Sequence, residues 1–125
     1  MRIWLAIAAV ASLSVAQPGA ALAQGPKSLE PREFSGFASH YGKGYSGKTA
    51  SGVRYDPSKL TAAHRTLPFG TTVLVVDKRS KRSVTVVIND RGPFIKGRVI
   101  DLSYAAAQAL QMEKRGLIQV TASVQ

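Results

Sequence analysis

Two runs of β-branched residues joined by a short polar turn constrain this chain more than any other feature. Thr71-Thr72-Val73-Leu74-Val75-Val76-Asp77 and Arg82-Ser83-Val84-Thr85-Val86-Val87-Ile88-Asn89 flank Lys78-Arg79-Ser80-Lys81. Branching at Cβ stiffens χ1 and suits a pleated, half-buried surface. Two such runs around a polar turn therefore predict an antiparallel hairpin. Arg82, Val84, Val86 and Ile88 alternate with Ser83, Thr85 and Val87, so both faces of the second strand are partly apolar, as in a closed barrel. The chain has no cysteine, so disulfides do not staple the domain.

The remaining punctuation is also that of a β-rich domain. Phe37-Ala38-Ser39-His40-Tyr41 predicts a short strand, and 42–52, with four glycines, predicts a loop needing unusual backbone angles. Leu117 to Val124 predicts a closing strand. The one clear helix is predicted over 104–111, with Asp101 or Ser103 at its entry, alanines within, and Gly116 beyond its end. The predicted layout is a signal peptide at 1–23, a Pro/Gly-containing flexible leader at 24–33, and one domain at 34–125.

The signal peptide rests on three features. Arg2 gives a positive start, Ile3 to Val15 is apolar over about thirteen residues, and Ala21-Leu22-Ala23 offers a cleavage site. The apolar run falls short of the roughly 20 residues that span a bilayer, which disfavours a retained anchor helix. Export to the periplasm or cell wall is expected. Without a cysteine to carry lipid, a soluble mature protein with no transmembrane segment is expected.

Charge narrows the partners. The chain has 17 Lys+Arg against 7 Asp+Glu, a net +10, and only one of those cations lies in 1–23. Such a domain attracts polyanions. Nucleic acid is the usual first reading, but an exported protein meets acidic glycans and wall carboxylates instead, so nucleic acid is not expected as a partner.

Three stretches are more polar than a structural role requires: 49–56, 61–70, and 88–94 with 98–103. Each candidate within them has a plainer reading. His64 could serve a loop backbone. Asp90 could pair with Arg91 or belong to a turn, and Asp101 could cap the helix. Tyr41 and Tyr55 could be core residues or sugar platforms, and the arginines could be merely solvated. No His, Asp or Glu grouping has metal-ligand spacing, so neither metal nor cofactor is expected.

The runs AAHRTLPFGT, INDRGPF and GRVIDLS, in that order, with Gly36 to Gly42 as an opening strand, resemble the rare lipoprotein A type of double-psi β-barrel, related to expansins. The resemblance covers about residues 35–124. It implies a mainly β, six-stranded double-psi barrel with one or two short helices. It also implies a lytic transglycosylase that cuts peptidoglycan glycan strands stripped of stem peptides, forming 1,6-anhydro ends. Carried over residue by residue, it implies catalytic roles for His64, Asp90 and Asp101. Tyr41, Tyr55, Asp56, Arg65, Arg91 and Arg98 are the expected substrate-binding residues, the arginines gripping the lactyl carboxylates of stripped strands. One departure matters. The position after Thr49-Ala50-Ser51-Gly52 is usually glutamate, and here it is Val53. Asp56 is a possible substitute. The alternative is a non-catalytic, expansin-like glycan-binding or wall-loosening module.

Overall fold

The computed structural model describes residues 32–125. The expected signal peptide and nearly all of the expected leader lie outside the described residues. Among the described residues the fold is made of six strands, β1 (Glu33–His40), β2 (Thr61–Ala63), β3 (Thr72–Asp77), β4 (Ser83–Asp90), β5 (Arg98–Leu102) and β6 (Ile118–Val124), and one helix, α1 (Tyr104–Ala109). The strands close into a barrel in the order β1-β5-β2-β4-β3-β6. β1 with β5 and β2 with β4 pair in parallel, and the other four pairings are antiparallel.

The predicted hairpin is β3 and β4, in register from Thr72 opposite Val87 to Val76 opposite Ser83. Val73, Val75, Val84, Val86 and Ile88 point inward and are buried, while Val87 on the other face is exposed. Ala38, Ala62, Ile100, Leu102, Ile118, Val120 and Ala122 complete the interior, with Ala106, Ala107, Leu110 and Met112 packed against it. Small residues where β1 and β2 enter the core leave room for the larger aliphatic side chains opposite.

The helix begins as the sequence suggests but ends early. Ser103, not Asp101, is its N-cap, accepting from the Ala106 N–H, while Asp101 lies within β5. It stops at Leu110 because Gln111 takes a left-handed φ of 53°, and Gly116, at 74°, terminates a later turn. β1 starts at Glu33, one residue inside the expected leader.

Two glycines are required by geometry. A side chain at Gly36 would meet Val99 Cγ1 at 2.5 Å, and Gly52, at a φ of 89°, makes the turn that returns the 49–53 loop. That loop is anchored to the end of β4. The Ser51 N–H donates to the Asn89 carbonyl at 3.2 Å, and the Ala50 N–H donates to Asp90 Oδ1 at 2.7 Å. The strand ends of β1, β2, β4 and β5 thus meet beside one glycine-rich loop.

Candidate active site

Asp90 ends β4, and Tyr41 follows the last residue of β1. The Tyr41 hydroxyl donates a short hydrogen bond to Asp90 Oδ2. Asp90 Oδ1 accepts from the backbone N–H groups of Ala50 and of Arg91, at 2.7 and 2.9 Å. Burial and the Asp90 hydrogen bond push the Tyr41 hydroxyl well above the usual tyrosine range, so it stays protonated and donates.

Asp101 is the second carboxylate. It lies opposite Ser39 in the β1–β5 pairing, and Ser39 Oγ donates to its Oδ1 at 3.3 Å. Burial pushes its carboxyl above the usual aspartate range, and the Asp90 charge adds to this. The Ser39 hydrogen bond and the neighbouring His40 and Arg98 only partly offset it. A desolvated carboxyl of this kind holds a proton more readily than a solvated one, as a general acid must.

Aromatic rings pack around Tyr41. Tyr45 stacks on Tyr41 with centroids 5.0 Å apart, and Tyr55 is tilted against Tyr41 at 4.7 Å. Tyr55 is buried, and its hydroxyl accepts from the N–H of Tyr104 at the start of α1. Tyr55 therefore supports the helix, whereas Tyr45, 45% exposed, presents a face to solvent.

His64 belongs to an adjoining loop. Its backbone N–H donates to the Asp90 carbonyl, while Nδ1 accepts from the N–H groups of Thr66 and Leu67 at 3.2 and 3.0 Å. Nδ1 is therefore an acceptor, and the ring packs on Phe34 at 4.9 Å. A cavity of about 300 Å³ lined by Phe34, His64, Arg65, Thr66 and Val99 opens there. Neither carboxylate lines it.

The arginines differ from one another. Arg65 donates to the carbonyls of Pro93, Ile95 and Arg98, and Arg91 to those of His64 and Leu67 while lying over the Phe69 ring at 4.0 Å. Both clamp loops, and Arg91 makes no ion pair with Asp90. Arg98 bears on Asp101 through its charge. Asp56 is turned into its own loop, accepting from Ser58 Oγ and N–H at 2.6 and 2.9 Å.

The family model described as lytic transglycolase matches residues 33–122. The chain belongs to this lytic transglycolase family of double-psi β-barrels. It is 54% identical over 94 residues to the "Probable endolytic peptidoglycan transglycosylase RlpA" of Nostoc sp., covering 73% of this chain and 25% of that protein. It is 53% identical over 83 residues to the endolytic peptidoglycan transglycosylase RlpA of Pasteurella multocida, covering 66% and 28%. The chain thus spans about a quarter of the length of these curated relatives. Among solved structures, the Streptomyces papain inhibitor superposes with a TM-score of 0.60 at 25% identity, covering 74% of this chain and 93% of that one. The Clavibacter michiganensis expansin shares the fold, at a TM-score of 0.58 and 21% identity, covering 74% and 50%.

Within this lytic transglycolase barrel, the strand ends bring together Tyr41, Asp90, Asp101 and Tyr55, with Arg98 nearby. His64, Arg65 and Arg91 form the neighbouring loop layer, and Asp56 stands apart. Sequence reasoning missed Tyr45, Ser39 and the place of His40 beside Asp101. An aromatic residue within a glycine-rich loop was the available signal for Tyr45. The contacts of Ser39 and His40 arise only from the β1–β5 pairing. Val53 is 61% exposed on the rim, its carbonyl held by the N–H and Oγ1 of Thr49 at 2.9 and 2.7 Å.

Proposed function

We propose that this domain cleaves peptidoglycan glycan strands by lytic transglycosylation in the cell wall, with Asp101 as acid and then base. The observation that carries this is a desolvated carboxyl beside a second carboxylate already engaged by three donors. Asp101 gives its proton to the glycosidic oxygen as the bond from the muramic anomeric carbon to that oxygen breaks. The muramic 6-hydroxyl oxygen then bonds to the same carbon, and its proton passes to the Asp101 carboxylate. No water is consumed, so one carboxyl suffices where hydrolysis uses a pair at a set separation. Asp90, held by Tyr41 and the 49–53 loop, places negative charge beside the developing cation.

The test is mass spectrometry of stripped glycan strands incubated with the domain. The parent is expected to yield 1,6-anhydro ends and Asp101→Asn none, with the fold retained by circular dichroism. Undiminished product from Asp101→Asn removes the assignment.

Val53 favours a second reading, in which the barrel holds glycan without cutting it. An apolar side chain occupies the position where the family resemblance implies a glutamate, on a backbone fixed next to the Asp90 loop. Val53→Glu discriminates the two. A parent inert on glycan that gains cleavage with this change is a binding module, and a parent that already cleaves is not.

A further inference from the structure

A second group of cations lies away from the arginines of the loop layer. A cavity of about 370 Å³ is lined by Phe37, Asp77, Lys78, Arg79, Arg115, Leu117, Ile118 and Gln119. Asp77 organises it. This carboxylate, fully buried, accepts from the Arg79 N–H at 3.0 Å, from Ser80 Oγ at 2.8 Å, and from Arg115 Nη1 at 2.5 Å. Those bonds fix the 78–82 turn and hold Arg115 against it, while among the described residues the Lys78 and Arg79 side chains make no hydrogen bond or ion pair. Phe37 and Leu117, 39% and 43% exposed, give the cavity an apolar floor.

The cavity and the carboxylate pair share strand β1. Phe37 and Ser39 are two residues apart on that strand, roughly 7 Å at the usual rise. Ser39 holds Asp101, and Phe37 lies opposite Arg98 in the β1–β5 pairing. From this geometry we infer that the Phe37–Lys78–Arg79–Arg115 cavity is a second subsite, taking a carboxylate-bearing sugar of the same strand further along from Asp90 and Asp101. An aromatic ring beside two cations carried on a turn whose backbone is fixed matches such a sugar, with a flat apolar face and an anionic arm. The inference rests on the glycan reading above, and its test separates the two.

Binding of stripped glycan strands is measured in the Asp101→Asn background, so that cleavage does not interfere, and turnover is measured in the parent. Lys78→Gln with Arg79→Gln is expected to weaken long strands roughly tenfold or more at low salt. The shortest cleavable oligomer should bind unchanged, KM for long strands should rise, and kcat should hold. Phe37→Ala should act in the same direction. Arg82→Gln with Lys114→Gln removes equal charge outside the cavity and is expected to change little. Equal weakening by both double variants would mean that charge density alone attracts the strand, which overturns the subsite. So does strand binding untouched by the Lys78 and Arg79 changes. Loss of binding to phosphatidylglycerol vesicles without loss of strand binding would make this a membrane-docking surface, overturning it too. Absence of anhydro product in the parent, with the Lys78 and Arg79 effect intact, removes the lytic reading and leaves the subsite standing.

Discussion

Asp101 shows how one residue couples activity to stability. Its carboxyl is raised by burial, so the native state binds a proton more tightly than the unfolded chain, where an aspartate titrates near about 3.9. Stability therefore falls as pH rises through the interval above that value, and it remains lowered at neutral pH. Asparagine retains the oxygen that accepts from Ser39 and removes the ionisation. Asp101→Asn is accordingly expected to be more stable than the parent at pH 7, with the difference shrinking below about pH 4. Urea unfolding at the two pH values measures this, and a variant less stable at pH 7 contradicts desolvation as the dominant influence. The same residue scale marks where sequence reading stops. Asp90 and Asp101 were legible because short motifs surround them. The clamping by Arg65 and Arg91 was not, because their acceptors lie 24 to 33 residues away and nothing local signals them.

At the scale of elements, legibility followed length. The hairpin strands begin and end within a residue of expectation, because six to eight residues of alternation establish both type and face. β2 has only three residues, Thr61–Ala63, and no period can be read over three. It is a strand because β4 and β5 flank it on both sides. Helix α1 has six residues, too few to stand alone, so its caps weigh heavily. Ser103 Oγ accepts from the Ala106 N–H and donates to the Lys59 carbonyl at 2.7 Å, in a fully buried position. Ser103→Ala removes a cap and one of the two donors to the Lys59 carbonyl, so about 1–2 kcal/mol of destabilisation is expected. Gln111→Gly should act oppositely, gaining about 1 kcal/mol because a side chain in the left-handed region is strained. Thermal unfolding of both variants checks the pair, and a neutral Ser103→Ala would mean that the barrel alone positions the helix.

At the scale of the whole molecule, a strongly basic barrel is closed at one end by a buried anion. Asp77, at the end of β3, meets Arg115, which lies between α1 and β6 and is 31% exposed. Burial works to raise the Asp77 carboxyl, yet the donors from Arg115, Ser80 and the Arg79 N–H outweigh it and hold it at about 2. Its folded value is thus depressed below the unfolded one. The stability it contributes is complete above about pH 4 and is lost as pH falls toward 2. Asp101 has the opposite sign in acid, so the two partly cancel in the parent and separate only in variants. Asp77→Asn keeps the shape but leaves Arg115 without its counter-charge, and about 2 kcal/mol of destabilisation at pH 7 is expected from the depressed carboxyl. Below pH 4 the parent should lose this advantage while the variant shows a flatter acid limb. Urea unfolding from pH 2 to 7 measures both curves. Parallel curves would place the pair's contribution in packing rather than charge. Because Asp77 also fixes the turn that carries Lys78 and Arg79, the same variant should loosen long-strand binding more than short-oligomer binding. A change in stability without that difference would separate barrel closure from substrate grip.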